Sequence, residues 1–234
     1  MKLGMAWSLG LASIASMLAA LFMVFVYVPT EAQQGLVQRI FYFHLPCAWV
    51  AFLAFGLVAV AAILYLWLGS QIWDDLSYAA AEIGMLFCTL VLITGSIWAK
   101  PIWGTWWTWD SRLTTTFILW LLYAGYLLLR AFAGDSPEVA RFAAVIGIVG
   151  VVDVPVIIVS VRLWRTIHPA VLLTRQGQHG LQDPRMIATL LVALGAFSLL
   201  FVWLLWLRLR TLRLGSKIAS ARRRLALYEM EARV

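Results

Sequence analysis

The chain has 234 residues, of which 63% are apolar and only 12% charged, with a net charge of +7. Its mean hydropathy is +0.90. A soluble domain of this size carries roughly twice that share of charge, so composition excludes a water-soluble globule and points to an integral membrane protein.

The apolar residues fall in blocks rather than amphipathic stripes. A spanning helix needs about 20 mostly apolar residues, and six segments qualify, at about 5–28, 45–68, 83–99, 114–133, 142–161 and 186–207. The expected fold is an all-α integral membrane protein: a six-transmembrane helix bundle with a tryptophan-rich outer loop. Residues 1–234 are read as a single membrane domain ending in a basic cytoplasmic tail over 208–234. The first block outruns the apolar core of a signal peptide and lacks a convincing cleavage site, so it is read as a helix.

Along the chain, Arg39 precedes the second span, and His44 opens it in Phe43-His44-Leu45-Pro46. Cys47 and Cys88 lie within apolar blocks and read as small buried hydrophobes. The stretch Gly69–Ala81, with Asp74 and Asp75, reads as a solvated loop. Glu82 reads as a charge at the membrane interface. Between spans three and four comes Trp103-Gly104-Thr105-Trp106-Trp107-Thr108-Trp109-Asp110, followed by Arg112. These are four tryptophans in seven residues, from 13 in the whole chain, which exceeds what an aromatic belt needs. If that stretch is helical, Trp103, Trp106, Trp107 and Asp110 share a face, and Gly104 lets a flat ligand or another backbone approach. Asp153 lies mid-span, where a charge costs about 2.5–3.5 kcal/mol. It should therefore be neutral, paired or facing a polar cavity, either as a polar contact near a ligand or partner subunit or as a helix–helix hydrogen bond beside the backbone gap made by Pro155. His168 follows the fifth span, in Thr166-Ile167-His168-Pro169, and His179 sits in a polar Gly-containing loop.

Lys and Arg set the orientation. Six spans place both termini on one side, which gathers the tail cations together with Lys2, Arg130 and Arg141, eleven against seven on the other side. Both termini are therefore expected in the cytoplasm. His44, the tryptophan loop and His168 then share the outer face. The outer cations Arg39, Lys100, Arg112, Arg162, Arg165, Arg175 and Arg185 call for a cause of their own, and an anionic ligand is one candidate. No Cys-x-x-Cys-His is present for covalent haem attachment, and no phosphate-cradling loop for a nucleotide.

These residue types fit haem. Imidazole ligates iron from either side of the disc, indole supplies broad apolar area, and arginine matches a carboxylate with a fixed fork. A haem-free metal site fits less well, because two separated histidines without paired Cys or Glu make poor zinc spacing.

At these positions the sequence resembles the haem-handling membrane proteins of bacterial cytochrome c maturation, the CcmC or haem exporter protein C family. The resemblance runs over roughly residues 30–210. Its most specific part is the tryptophan-rich "WWD" stretch from Trp98 to Thr114, flanked by Phe43-His44-Leu45-Pro46-Cys47-Ala48-Trp49 and by the Val154–His168 region. The resemblance implies His44 and His168 as axial ligands of a non-covalent, b-type haem. It also implies haem contacts from Trp103, Gly104, Trp106, Trp107, Trp109, Asp110 and Arg112, with Arg39 near the carboxylates. Ala99, Cys47, Asp153 and Pro169 depart from the family's usual residues without removing a proposed ligand. The implied role is a non-enzymatic one in the bacterial inner membrane: presenting haem at the periplasmic face and passing it to a periplasmic haem chaperone. Assistance with covalent haem attachment to that partner belongs to the same picture. The implied partners are an ABC-type membrane subunit, an ATPase subunit, a small single-span subunit and the lipid bilayer, with no nucleic acid. An electron-transferring cytochrome b subunit is the alternative, although such subunits carry paired histidines within the span. A membrane acyl- or glycosyl-transferase is a third reading, with Asp110 as its only good catalytic candidate.

Overall fold

A computed structural model of the protein describes residues 3–134, 136–164, 181 and 183–231. Its helices are α1 (Leu3–Phe22), α2 (Phe41–Leu68), α3 (Gln71–Trp103), α4 (Ser111–Phe132), α5 (Pro137–Leu163) and α6 (Pro184–Glu231). A π-turn over Met23–Tyr27 extends α1, and a 3-10 turn over Leu36–Ile40 leads into α2. All six helical segments are long and apolar enough to cross a membrane. The described residues therefore form an all-α bundle with six spans, because a bilayer requires each span to satisfy its own backbone hydrogen bonds.

Helix α2 lies at the centre and packs on α3, α5 and α6, while α4 packs on α5 and α3, and α1 rests against α6. Small residues allow the close approaches. A Cβ at Gly84 would stand 2.7 Å from the Phe55 ring, and one at Gly147 would stand 2.8 Å from Val58. Phe55 stacks on Tyr123 with centroids 3.8 Å apart, and the Tyr123 hydroxyl donates to the Gly147 carbonyl at 3.0 Å. That bond satisfies a polar group in the apolar interior without loosening the packing.

The end of the bundle opposite the tryptophan loop corrects two expectations. Gly69–Ala81 is not a solvated loop. Gly69 takes φ 63° and ends α2, its N–H donating to the Tyr65 carbonyl, and α3 begins at Gln71. Asp74 is buried rather than solvated. Its carboxylate accepts two hydrogen bonds from Arg130 of α4, at 3.1 and 2.9 Å, with both side chains about 95% enclosed. Glu82 pairs with Arg208 of α6, and the Tyr78 ring lies beneath both Arg130 and Arg208. These groups join α3, α4 and α6. Helix α6 continues past Arg208 without a break to Glu231. Asp153 is half-buried in α5, and its Oδ2 makes no hydrogen bond among the described residues, so the expected helix–helix bond from this atom is not formed.

Removing one partner of a buried bidentate pair strands the other charge, at a cost of about 3–5 kcal/mol. Arg130→Ala should therefore lower the thermal stability of the detergent-purified protein sharply. Arg130→Met combined with Asp74→Leu should recover most of the loss. Equal stability of Arg130→Ala and the parent would show that the pair does not hold these helices together.

Candidate functional site

Three segments meet at the tryptophan-loop end: the start of α2, the end of α3 and the start of α4. Local chemistry fixes the connection. Gly104 adopts φ 75°, a region open to glycine, and its N–H closes α3 on the Lys100 carbonyl at 3.0 Å. The Lys100 ammonium donates back to the Gly104 carbonyl at 2.9 Å. Asp110 caps α4, its Oδ1 accepting from the backbone N–H groups of Arg112 and Leu113 at 3.0 and 3.1 Å. Its Oδ2 accepts from the Thr108 hydroxyl at 3.1 Å, and Thr105 donates to the Trp107 carbonyl at 2.9 Å. Residues 105–110 are thus an ordered non-helical turn. This corrects the helical-face reading: the tryptophans are distributed by the loop and not by a 3.6-residue period.

The outcome for each indole follows. Trp103 and Trp107 line a cleft between the helices, and His44, Gly95, Ser96 and Arg112 line the same cleft. Cys88, Leu119 and Ile157 continue its wall as apolar surface toward the middle of the helices. Trp106 and Trp109 are 57% and 74% exposed and stand outside it. Trp109 meets Trp107 edge-on at 5.6 Å, so it supports the lining residue from behind. Gly104 and Asp110 shape the loop. Arg39 does not line the cleft, and its guanidinium donates to the Phe25 carbonyl at 3.1 Å. His168, His179, Arg165 and Arg175 lie outside the described residues.

His44 is half-buried near the start of α2. Its Nδ1 lies 3.0 Å from the Thr94 hydroxyl, and its ring meets the edge of Trp98 with centroids 5.8 Å apart. The Trp98 indole N–H donates to Gln34 at 3.0 Å, which ties α3 to the segment before α2. Thr94 and Gly95 stand outside the sequence motifs. Trp98 carries a signal, since it opens the motif stretch, whereas a threonine and a glycine inside an apolar helix carry none. At Trp107, the indole N–H is buried and has no hydrogen-bond partner among the described residues. The cleft therefore offers imidazole, a guanidinium, an unpartnered N–H donor and a broad apolar wall. That combination suits a flat apolar molecule bearing anionic groups and a metal centre.

Fold and site together define a six-span membrane protein whose helix ends enclose a His/Trp/Arg cleft. The chain matches the family described as heme exporter protein C over residues 2–224. It is 39% identical to the "Heme exporter protein C" of Bradyrhizobium diazoefficiens over 181 residues, which cover 75% of this chain and 66% of that protein, just under two thirds of its length. The identity to the Haemophilus influenzae protein of the same name is 38% over 185 residues, 79% of this chain and 74% of that one. The Escherichia coli protein of that name is 35% identical over 207 residues, 87% of this chain and 82% of its own length. The chain belongs to the haem exporter protein C family.

The capping geometry yields a test of the loop. Asp110→Ala should cost about 1 kcal/mol, the usual loss for an N-cap, and should shift the emission of the loop indoles. Asp110→Asn retains a capping oxygen and should stay near the parent. Identical emission and melting of the alanine variant and the parent would mean that the cap does not order the loop.

Proposed function

We propose that this protein is a membrane haem-handling protein of c-type cytochrome biogenesis, with its haem site in the cleft between α2, α3 and α4. The observation that carries the reading is the convergence of His44, Trp103, Trp107 and Arg112 on one cleft, in a chain of the haem exporter family. Haem is held non-covalently as a b-type group. His44 and His168 would ligate the iron, Trp103 and Trp107 would supply apolar contact, and the Arg112 guanidinium would take a propionate. Asp110 acts by holding the loop, and the exposed Trp106 and Trp109 offer a contact surface for the acceptor of the haem.

The site faces the periplasm of the bacterial inner membrane, and both termini lie in the cytoplasm, as the cations of the α6 extension favour. Residues 1–234 act as one membrane domain with a basic tail over 208–234. Haem passes from the cleft to a periplasmic haem chaperone. The chain works with an ABC-type membrane subunit, an ATPase subunit and a small single-span subunit, as the exporter name of its relatives supports. Its own part is to bind and present haem and not to catalyse a reaction, and the energy for release comes from the ATPase subunit.

The test is a haem titration of the purified protein followed by absorption. His44→Ala and His168→Ala should each weaken haem binding roughly tenfold or more, about 1.4 kcal/mol per decade, and each should change the spectrum. His179→Ala should bind as the parent does. Arg112→Lys should recover only part of the loss caused by Arg112→Ala, since an ammonium lacks the planar fork. Loss of the haem signal in His179→Ala alone would overturn the ligand assignment.

Orientation is tested separately. Reporter fusions after Gly69, after Gly134 and at the C-terminus should read cytoplasmic, and those near Gln34 and Ser111 periplasmic. A periplasmic C-terminus would invert the site and exclude delivery to a periplasmic acceptor.

A further inference from the structure

We infer that Thr94 is a positioning residue of His44: its hydroxyl accepts a hydrogen bond from the imidazole Nδ1–H, which leaves the lone pair that could bind iron on Nε2. The inference rests on the reading of His44 as a haem ligand and adds what makes that histidine competent.

A neutral imidazole carries one proton, and the nitrogen without it is the one that binds a metal. The hydrogen bonds around Thr94 point to Nε2 as that nitrogen. Thr94 Oγ1 has a single proton, and the Leu90 carbonyl lies 2.6 Å away, against 3.4 Å for the carbonyl of Val91. The hydroxyl proton therefore goes to Leu90. The contact of 3.0 Å between Oγ1 and His44 Nδ1 is then assigned to a ring N–H that donates to the hydroxyl.

The same arrangement occurs twice more among the described residues, with donors that allow no ambiguity. Thr89 donates to the Met85 carbonyl at 2.8 Å and accepts from the Trp120 indole N–H at 2.9 Å. Ser198 donates to the Leu194 carbonyl at 2.7 Å and accepts from the Trp49 indole N–H at 3.1 Å. An indole nitrogen only donates. A hydroxyl bonded back to the preceding turn thus serves here as an acceptor for a ring N–H on a facing helix, and Thr94 does the same for His44. Back-bonding by a helical threonine is common. It is the facing ring that gives this one a consequence.

The ring is also held in direction. A Cβ at Gly95 would lie 3.1 Å from His44 Cε1, so the glycine makes the space the imidazole occupies. Trp98 closes one side, its plane 63° from that of the ring. Thr94, Gly95 and Trp98 all belong to α3, and they seat a histidine that belongs to α2. Histidine ligands depend on such supports for orientation and basicity, and losing one typically weakens binding by about 10–100-fold. Donation by Nδ1–H to a hydroxyl that is itself donating makes the imidazole more electron-rich, which favours the ferric over the ferrous state.

The test uses the full chain in lipid nanodiscs, loaded with haem. Haem affinity, the ferric/ferrous midpoint potential and the electron paramagnetic resonance spectrum are measured for the parent, Thr94→Val, Thr94→Ala, Thr94→Ser and His44→Ala. Circular dichroism reports whether each variant is folded. Thr94→Val and Thr94→Ala should each bind ferric haem about tenfold more weakly, with a more positive midpoint potential and a changed resonance. Thr94→Ser should restore all three readouts to within about twofold of the parent, or to its spectrum. If His44→Ala loses haem while folded Thr94→Val and Thr94→Ala match the parent, this inference is wrong and the site reading stands. If His44→Ala keeps the parent's affinity and spectrum, both are overturned.

Discussion

Hydrocarbon offers no partner to a backbone N–H or C=O, and the rest of this structure follows from that constraint. The chain must cross as unbroken helices, so irregular backbone is confined to the helix ends. The connection between α3 and α4 carries its own hydrogen-bond partners: the Gly104 closure, the Asp110 cap and the threonine hydroxyls. Chemistry that needs a non-helical backbone belongs at such helix ends. The cleft is accordingly at that end, with its polar groups at the mouth and its apolar wall running between the helices.

The two ends of the bundle use charge differently. At one end Asp74–Arg130 and Glu82–Arg208 match acid to base and lock α3, α4 and α6. At the cleft end, Arg112 lends its backbone N–H to Asp110, while its side chain lines the cleft. A scaffold pinned at one end can hold a binding site at the other, because α3 and α4 contribute to both. This division explains why the same two helices carry the buried ion pair and most of the cleft lining.

Much of the architecture was legible because an apolar run of spanning length has few alternatives. Helix α3 begins at Gln71, well before the apolar block at about 83–99 that predicts it. Asp74, Asp75 and Glu82 look like solvated charges in a linear reading, and the partners of two of them stand 56 and 126 residues away. The site was legible where a residue type has few bland uses. His44, Trp103, Trp107 and Arg112 line one cleft. The helical reading of the tryptophan stretch failed because Gly104 acts through its positive φ, as a helix stop, and not through its missing bulk alone. Arg39 was grouped with the site by sequence position, but its hydrogen bond runs to the Phe25 carbonyl. Thr94 and Gly95 were invisible, since their role exists only relative to a ring on another helix.

The central claim is that a histidine of this cleft bonds to haem iron, and hyperfine spectroscopy reads that bond directly. Ferric haem is bound to protein in which histidine alone carries nitrogen-15, and pulsed electron paramagnetic resonance is recorded beside a nitrogen-14 sample. The account predicts a nitrogen-15 coupling from an iron-bound imidazole that is present in the parent and loses the His44 contribution in His44→Ala. A haem-loaded parent whose spectrum is the same with either isotope would contradict it.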